Sequence, residues 1–471
     1  MRVNNVNFEK LSHERTLRND YDFHRYQEKH ECAYYTFNDL FEYPDSPAVL
    51  VDDLYDDFKY CEIGDVDKNG YVAPVHLNFN NRNLLDENYY KKIEKGDIIS
   101  VDSGDILISK VRPNLKKYVL IDDITKDIYF TSAFIRIKPK KIPNIIYYCL
   151  RTIFYENLIA VSRQGKGYPT INIVDLGQLR FNKDIIDRLS SNESYIVPKI
   201  KDAENTIKSL STTTLTTQEI IDSVFQREFS FDYDTFEELK THKNYTSRQS
   251  LFSNNPDLRF SVKYHRPAGD FVMKQLSEMT DKKIKHFLAE PIVLGASISP
   301  SDFDENGEAY YVSMATIKTL EVELDETQLV SSTYYEAHIA KALQKGDIIV
   351  ARSGVAIGKT AIVKDDFEGI FADFTMRIRF DNARYNPTFA YYYLRSKYFQ
   401  YLIEVYKKGL QNQNIFPIVM QEFPIPDILL GEQQRILDEI QDEISKQDEI
   451  NNQIAELRNQ IVDIIMETIS E

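Results

Sequence analysis

GDILISKVRPNLKKYVLIDD begins at Gly104, and GDIIVARSGVAIGKTAIVKDD begins at Gly346. Laid over each other without a gap, Gly104-Asp105 meets Gly346-Asp347, Lys110 meets Arg352, Lys117 meets Lys359 and Asp123 meets Asp365. The order persists downstream with small shifts. FIRIK around Arg136 matches MRIRF around Arg377, and IYYCLRT at 146–152 matches AYYYLRS at 390–396. Further on, Leu158-Ile159 matches Leu402-Ile403, and Gly165 matches Gly409. So many ordered matches make the chain an internal duplication, which governs every later step of the reading. After each Gly-Asp turn, β-branched and polar residues alternate, which predicts strand, turn, strand. The aromatic-rich runs after Pro143 and Pro387 predict helices starting at those prolines, whose fixed φ suits a first helical turn. Each unit is therefore expected to be α+β.

Each copy runs on into a long helical pattern. Ile196, Ile200, Ala203, Ile207, Leu210, Thr214, Thr217 and Ile221 recur at spacings of four and three, and so do Ile436, Ile440, Ile444, Gln447, Ile450, Ile454, Leu457, Ile461 and Ile464. Sustained spacing of this kind makes a coiled-coil seam; a helix packed on its own domain is the plainer alternative. The chain is thus expected to run as a domain at 1–190, a helix at 193–229, a second domain at 235–428 and a helix at 429–471. The two helices are expected to pair as an antiparallel coiled coil, relating the domains by a pseudo-twofold axis. At about 1.5 Å per residue, 35 to 40 residues span roughly 50 to 60 Å.

Composition sets the outer limits. The chain has 471 residues, 42% hydrophobic and 28% charged, which is normal for two or three globular domains. The N-terminus MRVNNVNFEK has no apolar core of signal-peptide length and no stretch approaches a membrane span, so a cytoplasmic protein is expected. Cys32, Cys61 and Cys149 stand far apart, which argues against a disulfide framework or a zinc knuckle. The net charge of −16 is unfavourable for a polyanion partner, but residues 431–471 carry eleven acidic and three basic residues, a net of −8. Half of the charge thus sits in one predicted helix, and local basic patches elsewhere set affinity for phosphates more than the sum does.

Three segments of the second half carry a family resemblance: LQKGDIIVARSGVAIGKTAIV, then YKKGLQNQNIFPIVMQEFPIPDILLGEQQRI, then the long helix. Together they resemble the specificity subunit of Type I restriction–modification systems. RFSVKYH at 259–265 resembles the opening of a recognition domain. The first half departs from the pattern: RQGKGYPTINIVDLGQLRFNKDIIDRL keeps the glycine-rich loop and the following strand but lacks counterparts of Pro424, Pro426 and Glu432–Gln434. The resemblance implies a reader of double-stranded DNA with two target-recognition domains, each taking half of an interrupted sequence, and the helix length estimated above exceeds the ~34 Å of one DNA turn. It also implies partners: methyltransferase subunits, two of them by symmetry, and a restriction subunit. S-adenosylmethionine would sit on the methyltransferase, which must enclose a flipped adenine. No catalytic residue, cofactor or metal is expected on this chain.

The candidate DNA contacts are Lys110, Arg112, Lys116 and Lys117 in the first copy and Arg352, Ser353 and Lys359 in the second. The glycine-containing loops add Arg163, Lys166 and Tyr168, and Lys407, Lys408, Gln411, Asn412 and Asn414. Cations suit phosphates, arginine can bond guanine bidentately, and asparagine or glutamine can bond adenine. Solvated edges and ordinary turns are the plainer account of the same residues. Rival chemistries are weak. GVAIGKT at 354–360 is one residue short of a phosphate-binding loop and runs into an expected strand where such a loop needs a helix. Asn386-Pro387-Thr388-Phe389 lacks the second proline of the amino-methyltransferase signature and reads as a capped helix start. Asp102, Asp105 and Lys110 are loosely spaced for a nuclease, and turn capping by Asp105 and Asp347 is simpler. Two other classes stay open: the targeting part of a stand-alone methyltransferase or nuclease, and a coiled-coil scaffold that binds no DNA.

Overall fold

The computed structural model describes the chain apart from residues 1–20, 29–32, 46–48, 52–53, 55–56, 80–86, 165–167, 242–244, 247–263, 315, 318–321, 323, 325–326, 410–412 and 471. Lys166, Gln411, Asn412, Cys32 and most of RFSVKYH therefore lie outside the described residues. The chain divides into two compact units, Met1–Thr212 with Gln453–Glu471, and Thr213–Asn452.

Seven strands of the first unit carry the repeat: β1 (Phe41–Glu42), β2 (Phe58–Cys61), β3 (Val75–Leu77), β4 (Ile106–Ser109), β5 (Tyr118–Leu120), β6 (Ile128–Phe130) and β7 (Phe134–Pro139). The second unit has β8 (Val293–Leu294), β9 (Ala309–Val312), β10 (Leu329–Val330), β11 (Ile348–Ala351), β12 (Thr360–Ile362), β13 (Gly369–Phe371) and β14 (Thr375–Ile378). One four-stranded sheet runs β1-β7-β4-β5 and the other β8-β14-β11-β12; one three-stranded sheet runs β3-β2-β6 and the other β10-β9-β13. Adding seven to each label converts the first topology into the second. Even the exceptions repeat, since β2 pairs with β6 and β9 with β13 in parallel while the other pairs are antiparallel. β4 and β11 are central and buried along their whole length, which is why ILIS and IIVA are almost continuously apolar.

The turn that opens each central strand is built from one recipe. Gly104 and Gly346 sit at φ +89° and +91°, where a side chain is strained, and donate their N–H to Ile121 and Val363. Asp105 and Asp347 are fully buried and accept from the N–H three residues earlier, at Asp102 and Gln344. Each carboxylate also takes an arginine Nε, from Arg136 at 2.5 Å and from Arg379 at 2.7 Å. The arginine in register with Arg136 is Arg377, opposite Ile349 as Arg136 is opposite Leu107, yet the ion pair has passed to Arg379. Arg377 bonds Glu290 and the Ala342 carbonyl.

The helices expected after the two prolines are α1 (Pro143–Arg151) and α5 (Pro387–Arg395), followed by α2 (Tyr155–Val161) and α6 (Lys397–Tyr406). Asn386 caps α5, its side chain accepting from the N–H of Thr388 and Phe389. Pro424 and Pro426 flank a segment held by buried tyrosines, Tyr393 donating to the Pro424 carbonyl and Tyr385 to that of Pro426.

The helix expected at 193–229 is two helices, α3 (Glu193–Thr212) and α4 (Thr217–Phe229), one in each unit. Three consecutive β-branched residues, Thr212–Thr214, weaken helix propensity at the junction. Thr216 then starts a new helix by a reciprocal cap, accepting from the Glu219 N–H while the Glu219 carboxylate accepts from its own. Ile196, Ile200, Ala203 and Ile207 are buried as the seam requires, but Thr214 is exposed and the burial resumes at Ile220 and Ile221. The last helix, α7 (Leu430–Ser470), is continuous, with residues up to Asn452 in the second unit and those from Gln453 in the first. The helices are thus parts of the units rather than separate modules. Along α7 burial recurs every seventh residue at Ile440, Gln447, Ile454, Ile461 and Thr468, and near the end it shifts from Ile464 to Ile465. A straight helix of 3.6 residues per turn drifts in this way against a 3.5-residue stripe.

Within the second unit α4 runs antiparallel to α7. Leu215 N–H donates to Gln447 at 2.7 Å, Arg227 pairs with Glu439 and Glu228 with Arg435, so positions rise along α4 as they fall along α7. Ile220, Ile221, Val224 and Phe225 share one core with Ile436, Leu437 and Ile440. In the first unit the far end of α7 is tied by Arg188, which donates to the Ile469 carbonyl at 2.9 Å. Among the described residues no helix is long and apolar enough to cross a membrane.

Candidate nucleic-acid interface

In each unit the end of the central strand meets the glycine-containing loop that lies about sixty residues on. In the first unit Lys110 donates its N–H to the Ala133 carbonyl and accepts from Ile171, Val111 bridges Thr170, and the Arg112 N–H donates to Pro169. In the second, Arg352 donates to Phe374 and accepts from Ile415, Ser353 bridges Asn414, and Lys408 and Asn414 exchange backbone hydrogen bonds at 2.8 and 2.7 Å. Lys110 and Arg112 thus meet the loop that carries Tyr168 in the first unit, and Arg352 and Ser353 meet the loop that carries Lys408 and Asn414 in the second, although these segments are far apart in the chain.

At the first junction Arg112 sits at φ +51° and places its guanidinium 5.3 Å from the ring centre of exposed Tyr168. A cation over an aromatic face holds both groups in a defined place while leaving guanidinium edges for hydrogen bonds. Lys110 donates its ammonium to the Ser132 carbonyl at 2.5 Å. Arg163 is anchored, its Nε bonding both oxygens of buried Asp175 at 2.8 and 3.0 Å. Lys116 and Lys117 are engaged away from this junction. The Lys116 ammonium donates to the Arg151 carbonyl and lies 4.1 Å from the Tyr155 ring centre, and Lys117 donates to the Ile63 carbonyl at 2.8 Å. Burial, followed by the nearby Arg151 charge, lowers the pKa of Lys116.

At the second junction Arg352 donates from Nε to the Asp373 carbonyl at 2.9 Å and from Nη1 to the Asn414 side-chain oxygen at 3.4 Å. Ser353 is buried beside them, and Lys407 forms an ion pair with Glu404. Lys359 is exposed and lines an open cavity of about 680 Å³ with Arg395, Lys397, Gln400, Asp222 and Glu404. Two exposed aromatic residues that sequence reasoning passed over flank Arg352: Phe374, whose carbonyl it bonds, and Phe416, next to Ile415. Their only sequence signal is a large apolar side chain on a turn, FADFT and NIFP, where nothing nearby in the chain could bury it.

The other chemistries find no support in this geometry. Asp105 is held by Arg136 while Lys110 reaches Ser132, so these groups do not share a site. Gly354–Ala356 forms one short turn and leads into β12, not into a helix. Among the described residues no three His, Cys, Asp or Glu side chains lie close enough to hold a metal.

A repeated scaffold that brings cations, an amide and exposed rings to one edge suits recognition of a nucleic acid. Residues 278–459 match the family described as the Type I restriction modification DNA specificity domain. This chain carries a Type I DNA specificity domain. Its function is accordingly DNA sequence specificity in a restriction–modification system. Residues 1–212 of the first unit lie outside the match but repeat the strand order found within it. Solved structures resembling the whole chain include one described as showing complex assembly and conformational transition of the type I R-M system, at 15% identity and TM-score 0.44, covering 93% of this chain and 97% of that one. The HsdS subunit from Thermoanaerobacter tengcongensis has 14% identity and TM-score 0.30, covering 93% and 96%. The Type I system S subunit from M. genitalium has 12% identity and TM-score 0.37, covering 93% and 97%. At such scores the assignment rests on the family match and not on these structures. No curated protein matches the chain.

Proposed function

We propose that the chain reads DNA for its system through two tandem target-recognition domains, each taking one half of an interrupted double-stranded target. The observation that carries this reading is the junction of central strand and glycine-containing loop, built twice by the same backbone hydrogen bonds. Lys110, Arg112, Tyr168, Arg352, Ser353, Lys408 and Asn414 supply the nearest contacts at those junctions. Lys116, Lys117, Arg163, Lys166, Lys359, Lys407, Gln411 and Asn412 complete the proposed set. α3, α4 and α7 extend to an antiparallel coiled coil that fixes the distance between half-sites and docks the partners. Those partners are two methyltransferase subunits, which bring S-adenosylmethionine, and a restriction subunit, all in the cytoplasm. The chain itself is non-catalytic and needs no cofactor.

The test is a map of methylated adenines in host cells with and without the intact gene. Loss of methylation at one interrupted motif supports the reading. An unchanged map together with no co-purifying methyltransferase refutes it.

A further inference from the structure

The repeat contains its own comparison. Backbone hydrogen bonds and bridges, not likeness of side chains, make three positions of the two junctions equivalent, and a fourth follows as the next residue along the chain. Lys110 and Arg352 accept from Ile171 and Ile415; they donate to Ala133 and Phe374; the bridges of Val111 and Ser353 make Thr170 and Asn414 partners in kind. One residue beyond Ile171 and Ile415 stand Asn172 and Phe416.

Where the fold needs a residue, both copies keep its chemistry, as with Gly104 and Gly346 or Asp105 and Asp347. At these four positions a cation is kept only in changed form and the other three differ outright: the first copy has Lys, Ala, Thr and Asn, and the second has Arg, Phe, Asn and Phe. The differences are not explained by packing. Phe374 is 53% exposed and Phe416 40% exposed, so each forgoes much of the stabilisation that a buried ring would contribute. Ile418, two residues further on, is 70% exposed. Asn172 is used locally, its side chain accepting from the Asp175 N–H, and the Asn414 oxygen accepts from Arg352 Nη1 at 3.4 Å, which sets amide and guanidinium side by side.

We propose that Arg352, Phe374, Asn414 and Phe416 are the set by which the second unit selects its half of the target, and that Lys110, Ala133, Thr170 and Asn172 hold the same places in the first. The inference rests on the DNA-specificity reading above and assigns its residues. Arginine offers guanine a two-pronged donor, an asparagine amide offers adenine a donor and an acceptor, and an exposed ring meets the thymine methyl. The first unit has an ammonium, a methyl group and a hydroxyl at three of these places and a helix-capping amide at the fourth. Its selectivity there is weaker and draws on Arg112 and Tyr168 instead.

The test transplants one set into the other. The full-length chain carrying Arg352→Lys, Phe374→Ala, Asn414→Thr and Phe416→Asn, purified with its co-expressed modification subunit, is incubated with a randomised double-stranded DNA library, and the bound molecules are sequenced. The wild type is expected to select an interrupted motif. The variant is expected to keep one half and the spacing while base preference in the other half falls by about 5- to 150-fold at the affected positions. A variant whose motif is unchanged in both halves overturns the assignment. Should the fourfold variant fold poorly, Phe374→Ala alone, at an exposed position, is read in the same way: loss confined to one half supports the assignment, and no change overturns it. A wild type that selects no motif overturns the specificity reading and this assignment with it.

Discussion

Replacing Asp347 by asparagine should unfold the second unit at a markedly lower temperature, because this buried carboxylate anchors the turn that opens the central strand. Its Oδ1 accepts from Arg379 Nε at 2.7 Å, and its Oδ2 accepts from Arg379 Nη2 at 2.7 Å and from the Gln344 N–H at 2.9 Å. Asparagine has the same shape, but one acceptor becomes a donor facing a guanidinium. Two hydrogen bonds to a charged group, at about 1.5 to 3 kcal/mol each, are weakened or lost. Their sum of roughly 3 to 6 kcal/mol agrees with the ~3–5 kcal/mol for breaking a buried pair from one side. Arg379 is 19% exposed and keeps Glu290 at 3.4 Å and the Ala342 carbonyl at 3.3 Å, which places the cost near the lower end, about 3 kcal/mol. The unit spans about 240 residues. At roughly 2–4 °C per kcal/mol for that size, Tm should fall by about 6 to 12 °C, measured by scanning calorimetry of the full chain. A shift under about 2 °C would refute the assignment of Asp347 as the anchor. Asp105→Asn is the internal control. Asp105 has no partner on Oδ1 and receives one guanidinium bond on Oδ2, while Arg136 also holds Asp102, so about half the effect is expected in the first unit.

Three further outcomes are expected. Thr216→Ala removes the cap that starts α4 and should cost about 1 kcal/mol in the second unit, read by chemical denaturation; no change would mean that the cap does not set the helix start. Burial, with repulsion from Asp122, holds the Glu204 carboxyl above its usual 4.5 despite a hydrogen bond from Tyr148. The folded unit binds this proton more tightly than the unfolded chain, so stability should fall as pH rises from that value through the raised one, and Glu204→Gln should flatten the dependence of Tm on pH. Lys359→Ala should weaken DNA binding on every sequence and lower the salt slope by about one, since an exposed ammonium contributes to phosphates and not to bases; equal affinity at two salt concentrations would count against it.

Much of the fold was legible because its signals are local. Pro143 and Pro387 start helices where expected, Asn386 caps, and the acidic pattern from residue 430 forms one helix to Ser470. One local signal runs against the periodicity: Thr216 and Glu219 stand three apart, as a reciprocal helix cap requires. Periodicity reports which faces are apolar but not whether the backbone between them is continuous. The candidate site was only partly legible, since residue type alone does not distinguish Arg112, exposed over Tyr168, from Lys117, engaged by the Ile63 carbonyl.

The sequence by itself determined the duplication, from ordered matches between its halves, and the Gly-Asp turns, the α+β character of each unit and the long last helix, because these follow from neighbours within a turn or two of chain. Only the tertiary structure decided that Lys110 would meet Ile171 and Arg352 would meet Ile415, that Arg379 rather than Arg377 would hold Asp347, and that Phe374 and Phe416 would stay exposed beside Arg352. These are contacts between strands and loops tens of residues apart, and they form only where the folded backbone has left a donor and an acceptor within reach.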